Sequence, residues 1–350
     1  EDVWGIGARF MPFDGLTLRA NRSRNFRAPN LNQLFAPTST SFGAIGVDPC
    51  DADRIDAGPN PAVRRANCEA EWAANPGYAP LATFQDFAEN TPIAVVTSGG
   101  NPDLVNEVSD TTTFGFVIDD LFIDGLTISV DRIDIDLTNG ISNFTTQDFL
   151  AACYDDPSPQ ASVCNAFARI PVSDGTNPGG SVLTGRSTTF NAGEVTFKGE
   201  VYFASYDFDL SRIYSGTDAS LNFAVEATHM AELSTSVTGT TFNRTDNTTA
   251  QPDWTGRFNL SYMNGPARVS YQLNYLDDVK ASEAATIENN PNPLIDSNIT
   301  HDITFLYEVT ENATIRIGAR NFTDELPSYP TLTHGDILGR RYFAGLNLRF

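Results

Sequence analysis

Trp254-Thr255-Gly256-Arg257-Phe258-Asn259-Leu260-Ser261-Tyr262, a break at Asn264-Gly265-Pro266, then Arg268-Val269-Ser270-Tyr271-Gln272-Leu273-Asn274-Tyr275: this stretch decides the fold. Trp254, Phe258, Leu260 and Tyr262 alternate with Thr255, Arg257, Asn259 and Ser261. After the break, Val269, Tyr271, Leu273 and Tyr275 alternate with Arg268, Ser270, Gln272 and Asn274. Side chains on an extended chain point to opposite faces in turn, so each half reads as a strand with one apolar and one polar face, joined by a tight turn.

The same period recurs on both sides. Upstream lie Trp4 to Phe10, Leu16 to Ala20, Phe114 to Ile118, Leu126 to Val130 and Leu221 to Ala227; downstream lie Ile299 to Val309, Ala313 to Ala319 and Tyr342 to Phe350. A further segment reads Val195, Phe197, Val201 and Phe203 against Glu194, Thr196, Lys198 and Glu200, which places the first set on the apolar face. In all there are eleven strand candidates of about ten residues each. One of them changes phase: Leu126, Ile128 and Val130 are even, Ile133, Ile135 and Leu137 odd. That slip near Asp131-Arg132 predicts either a bulge or a boundary between lipid and water. Asp131, Asp134 and Asp136 read as carboxylates on a solvated strand rather than a calcium site, since no glycine-containing calcium loop surrounds them.

A soluble sandwich also alternates, so connection lengths must separate the readings. One set is short: 12–14, 119–124, 211–217, 264–266 and 310–312. The intervening set is long: 25–108, 138–193, 231–251, 279–297 and 323–339. Strict alternation collects tight turns at one end and large loops at the other, the layout of an antiparallel transmembrane β-barrel with short periplasmic turns and long extracellular loops. Aromatic residues near row ends (Trp4, Trp254, Tyr262, Tyr275, Tyr342, Phe350) suit interfacial girdles, although any one of them would also suit a packed core. His301, in an apolar row near a long loop, reads as a headgroup-level residue. Eleven strands cannot close an antiparallel barrel, and the chain opens at Glu1 without an initiator Met, so it is expected to be a piece of a longer protein with further strands on the N-terminal side.

Charge narrows the function classes. Lys plus Arg number 22 against 44 Asp plus Glu, a formal net of −22, which argues against a nucleic-acid partner. Only Lys198 and Lys280 are lysines; the rest of the basic set is arginine. Arg9, Arg19, Arg257, Arg268, Arg316 and Arg320 fall on the polar face, the expected lumen, where their forked guanidinium groups suit carboxylates on something filling the barrel. A porin holding these charges in water is the competing reading. The cysteines form two local pairs, Cys50 with Cys68 and Cys153 with Cys164, each within one polar stretch. Four cysteines allow three pairings; the local ones are favoured over a zinc site, whose tight ligand spacing is missing. Thr145 before an apolar periodic run to Cys153 predicts a short helix in the second large loop. There is no G-x-S-x-G, H-E-x-x-H or P-loop, so neither an enzyme nor a cofactor is expected.

Four segments point to a family. Ser23-Arg24-Asn25-Phe26-Arg27-Ala28-Pro29-Asn30-Leu31-Asn32-Gln33-Leu34-Phe35 resembles the S-R-x-F-R-A-P-x-L-x-E-L-F segment of TonB-dependent outer-membrane receptors. Gly99-Gly100-Asn101-Pro102-Asp103-Leu104 with Glu107 is similar to their G-N-P-x-L-x-x-E stretch; Asn321 to Pro327 and Gly339 to Phe350 are similar to their N-L-F-D-E-x-P and closing G-R-x-Y segments. The departures are Gln33 for the usual Glu and Asn106 for the usual Pro. The resemblance implies that residues 1–350 are the C-terminal part, the last eleven strands, of a 22-stranded barrel in the bacterial outer membrane. It also implies a plug domain inside that barrel, coupling to TonB, contact with outer-membrane lipid, and uptake of a scarce ligand. A ferric siderophore is the family's commonest cargo; carbohydrates, cobalamin and peptides are also carried. The last strand resembles the signal read by the barrel-assembly machinery. Loop aromatics Trp72, Tyr78, Phe84 and Phe87 suit either ligand contact or packing within the loop. A passive porin or adhesin without energy coupling is the alternative.

Overall fold

The computed structural model describes all residues except 1, 87–93, 250, 283–284, 329–330, 332 and 350; Phe87 and Phe350 therefore lie outside the described residues. Eleven strands follow one another along a single sheet: β1 (Trp4–Phe13), β2 (Leu16–Arg27), β3 (Glu107–Asp119), β4 (Leu126–Phe144), β5 (Val182–Asp209), β6 (Ser220–Ser236), β7 (Trp254–Asn264), β8 (Ala267–Leu276), β9 (Asn298–Thr310), β10 (Ala313–Arg320) and β11 (Arg341–Leu348). Each pairs antiparallel with the next, and among the described residues β1 and β11 do not pair with each other, so the sheet is an open path.

Register shows why the alternating sequence folds this way. Phe10 lies opposite Leu18, Leu18 opposite Phe116, Phe116 opposite Val130, Val130 opposite Tyr202 and Tyr202 opposite Ala227. The row continues through Gly256 and Tyr275 to Ile299. Directly opposed residues share a face, so the apolar positions of neighbouring strands form one continuous belt. Slipping any strand by one residue would turn its charged row into that belt, which is what fixes the pairing.

Two expectations about sidedness need correction. Pairing runs unbroken through Asp131-Arg132 on both sides of β4, so no bulge lies there. The irregularity sits instead between Leu137 and Ile141, where Asn139 takes φ +55°. The phase change is a change of environment along a regular strand. Ile133, Ile135 and Leu137 share a face with Asp131 and Arg19, while Arg132, Asp134 and Asp136 occupy the face that lower down is apolar. The three aspartates are therefore split between faces.

The second correction concerns β5. Opposite Ile128 and Val130 stand Ala204 and Tyr202, whereas Val201 and Phe203 pair with Asp131 and Ser129. The apolar belt on β5 is thus Tyr202, Ala204, Tyr206 and Phe208, and the residues expected there lie on the other face. Aromatic residues on both sides of β5 hid this in the sequence.

Several strands outrun the expected boundaries. β4, β5 and β6 contain 19, 28 and 17 residues, well beyond the roughly ten that cross a bilayer. Residues expected to be loop, 139–144, 182–192 and 232–236, continue these strands at the long-loop end. Ala231 is skipped in the β5–β6 register, which shifts between Lys198 and Gly199. The shift keeps Glu232 opposite Lys198 on one face and Leu233 opposite Phe197 on the other. Above the end of β6 the vacated edge of β5 is taken by a strand from the first large loop. Ala94–Gly99 pairs parallel to β5 at Val95 with Thr184, and antiparallel to Ser39–Gly43. No described helix is long and apolar enough to cross a membrane, which says nothing about crossing by strands.

Candidate functional site: the loop headpiece and the polar wall

The large loops 28–106 and 145–181 fold together into a headpiece with its own core. α1 (Leu31–Phe35) is a single turn closed by a capping box at Asn30, and α2 (Pro61–Ala74) starts at Asn60 with Pro61 in its first turn. α3 (Thr146–Asp155) is the helix expected from the sequence: Thr145 and Asp148 make a reciprocal capping box. α4 (Ala161–Cys164) follows. Ile45, Ile55, Phe149, Leu150, Tyr154 and Val163 are buried together with Phe144 and Val182 from the extended strands. Cys50 is bonded to Cys68 and Cys153 to Cys164.

Charged groups tie the two loops across long stretches of sequence. The Arg169 guanidinium is buried and donates to both oxygens of Asp48 (2.6 and 2.9 Å), to the Gly180 carbonyl (2.6 Å) and to the Tyr154 hydroxyl (3.0 Å). It also lies 5.2 Å from the ring centre of Trp72 and 5.4 Å from that of Tyr154. Burial pulls against its charge, but Asp48, with Tyr154 and Glu71, more than compensates and holds Arg169 well above its ordinary value. Burial also pushes the Tyr154 hydroxyl well up, so it stays a neutral donor, and it is bonded to Glu71. A second bidentate pair joins Arg64 of α2 to Asp155 of α3 at 2.5 and 2.6 Å. Asn67 donates to the carbonyls of Tyr154 and Asp156, and the Asp86 carboxylate accepts from the Val182 amide. Neither loop completes its core alone.

The loop aromatics are part of this packing. Phe84 is buried, Trp72 packs edge-on against Tyr78 and Phe84, and the Trp72 indole donates to the Ala79 carbonyl at 2.8 Å. At the root of the headpiece an open cavity of about 520 Å³ is lined by Asp103, Phe149, Gln160, Ser162, Arg186 and Phe190 among others.

Below the headpiece, register puts Arg9, Arg19, Arg257, Arg268, Arg316 and Arg320 on the polar face, as the sequence suggested. They are not equivalent. Arg19 reaches across Gly115 on β3 to make a bidentate pair with Asp131 on β4, 2.7 Å for Nε to Oδ1. Arg257 stands 3.8 Å from Glu226. Arg268 touches the Met263 sulfur, and Arg316 lies over the Phe343 ring at 5.0 Å. Arg320 is opposite Arg341, itself paired with Asp336. Arg268, Arg316 and Arg320 share a concavity with Gln272 and Asp302. Glu194 and Glu200, expected on this face, lie on the other: Glu200 pairs with Arg132 and with His229 at 2.7 Å. On that other face His301 bonds the Tyr271 hydroxyl at 2.6 Å.

This wall and headpiece can be compared with known proteins. The family model described as TonB dependent receptor-like, beta-barrel, matches residues 2–322. The chain belongs to that family. The siderophore receptor PirA from Acinetobacter baumannii is 15% identical, with a TM-score of 0.59 over 99% of this chain and 40% of that one. The ferric enterobactin receptor PfeA from Pseudomonas aeruginosa (mutant R480A), crystallised with enterobactin, is 14% identical, with a TM-score of 0.57 over 98% of this chain and 40% of its own. The TonB-dependent receptor chain described here thus spans about 40% of the length of these structures. Among curated proteins none matches it. In a TonB-dependent receptor barrel the apolar belt faces lipid and the polar face the lumen, with the headpiece at the extracellular end. The short-turn end is periplasmic.

Sequence reasoning missed Arg169, Asp48, Arg64, Asp155 and Glu71 as a group. Asp48 and Arg169 are 121 residues apart, and only their burial after folding marks them out.

Proposed function

We propose that residues 1–350 form the C-terminal part of the barrel of a bacterial outer-membrane receptor that captures a scarce ligand, a ferric siderophore in the first instance, for uptake energised through TonB. The supporting observation is the pairing of a family-typical wall with a pre-folded, cross-linked headpiece above its lumen. A rigid capture surface lowers the ordering cost of binding, as a scarce ligand requires. The named siderophore receptors sharing the fold favour iron over the other cargoes. In this reading a plug domain of the same protein fills the lumen, and Arg9, Arg257, Arg268, Arg316 and Arg320 are its docking points. Arg19 is already engaged by Asp131 within the wall. Outer-membrane lipid surrounds the belt.

A deletion strain grown on defined iron and carbon sources, with calorimetry of ferric siderophores on the full-length protein, tests this. Impaired growth on a siderophore as sole iron source, with matching binding, supports it. Unchanged growth and no binding under every iron condition would overturn the siderophore assignment. A signal peptide followed directly by strands upstream of Glu1, with no plug, would favour a passive pore or adhesin.

A further inference from the structure

The five short turns differ in chemistry. Those joining β7 to β8 (Asn264-Gly265-Pro266) and β9 to β10 (Glu311-Asn312) are polar. Those joining β3 to β4 and β5 to β6 also carry apolar side chains. Phe122 in the first and Ile213 and Tyr214 in the second are among the most exposed large side chains of the described residues, Ile123 is exposed as well, and Asp124 and Arg212 stand beside them. Phe13, at the turn between β1 and β2, is also exposed. These three turns are consecutive along the sheet. With strands about 4.8 Å apart, they occupy roughly 25 Å of rim.

Four acidic residues beside them, though exposed, are held by hydrogen bonds within the turns, while Asp124 and Asp218 stand open to solvent. Asp120 accepts from the Gly125 amide (2.5 Å), Asp119 from the Thr127 hydroxyl (2.6 Å), Asp207 from the Asn222 side chain (2.8 Å) and Asp209 from the Ser211 amide (3.0 Å). The carboxylates close the turns while the apolar side chains project. Large apolar side chains exposed together along one stretch of rim mark an interaction surface rather than an ordinary solvated turn.

The patch is continuous with the lipid belt. Phe13 lies opposite Leu16, Leu16 opposite Ile118, and Ile118 opposite Ile128, all on the belt face. We infer that the turns 120–125 and 210–217, with Phe13, insert into the periplasmic leaflet of the membrane. The turns at 264–266 and 311–312 stay in water, so the barrel sits deeper on the β1–β6 side. This rests on the outer-membrane reading above. The occupant is lipid rather than a periplasmic protein because the patch extends a surface that already faces hydrocarbon.

The test uses the full-length protein in nanodiscs of zwitterionic phospholipid. An environment-sensitive fluorophore is attached to single introduced cysteines, Phe122→Cys, Tyr214→Cys, Asn264→Cys or Asn312→Cys. Quenching by chain-brominated lipid is compared with quenching by aqueous iodide. Lipid quenching about threefold above iodide quenching at 122 and 214, with the order reversed at 264 and 312, is expected of interfacial insertion. Equal iodide quenching at all four sites, or protection from both quenchers at 122 and 214, which a protein partner would give, overturns the inference. A label at Phe258→Cys on the belt separates the two readings. If it escapes lipid quenching, the outer-membrane reading itself fails; if it is quenched while 122 and 214 are not, only the insertion fails.

Discussion

Replacing Arg169 by Met should unfasten the headpiece without harming the barrel. The Arg169 side chain is 1% exposed and Asp48 fully buried, and the guanidinium satisfies both Asp48 oxygens, the Gly180 carbonyl and the Tyr154 hydroxyl. Met keeps much of the packing against Trp72 and Tyr154 but leaves a buried carboxylate without its partner. Breaking a buried pair in this way costs about 3–5 kcal/mol. At 1.4 kcal/mol per factor of ten, the open headpiece population rises by roughly two to three and a half orders of magnitude. Amide exchange of the full-length protein in nanodiscs reads this population directly. Protection should fall together in 45–57, 61–74 and 146–170, because the core is shared, and remain unchanged in β7 to β10. The double variant Asp48→Asn with Arg169→Met removes the orphaned charge and should recover much of the loss. Two results would refute the reasoning: protection lost in only one loop, or a double variant as labile as the sum of the singles.

Other outcomes follow from the same geometry. Replacing Cys50 and Cys68 by Ser should lower headpiece stability by roughly 3 kcal/mol in the chain-entropy model, seen as faster proteolysis of 28–106 with the barrel intact. Gly115→Val should weaken the wall, because a Cβ there meets the Val130 carbonyl and Asp131 itself, and the bridge from Arg19 to Asp131 crosses that gap; the thermal transition in detergent should drop, and Arg19→Gln should add little to it. Alkaline pH should loosen the headpiece through Tyr154. Its folded value is raised by burial above the ordinary 10.0, so its contribution is full below about pH 10 and is lost as pH rises through the folded value. Exchange across 146–170 should accelerate there, and Tyr154→Phe, which has no such proton, should flatten that dependence.

The wall was legible because its code is local. Alternation in Trp254 to Tyr275 names both faces of β7 and β8, and short and long connections sort the two ends. β5 was misread because Tyr202 and Phe203 are adjacent aromatics on opposite faces, and only pairing with β4 says which one meets lipid. The strand extensions were hidden for a related reason. Beyond the membrane boundary the belt face turns charged and the lumenal face apolar, so Ile133 and Phe197 mimic a change of register. In the headpiece the helix after Thr145 announced itself through its cap, while Arg169 carries no local signal. An arginine destined for burial looks like any other until its partner, more than a hundred residues away, is in place.

The parallel strand at Ala94–Gly99 has a bearing on biogenesis. Its partner edge, Thr184 to Thr188, lies almost ninety residues later in the chain, beyond the β3–β4 hairpin. The first large loop therefore cannot complete its sheet edge until that later segment is present.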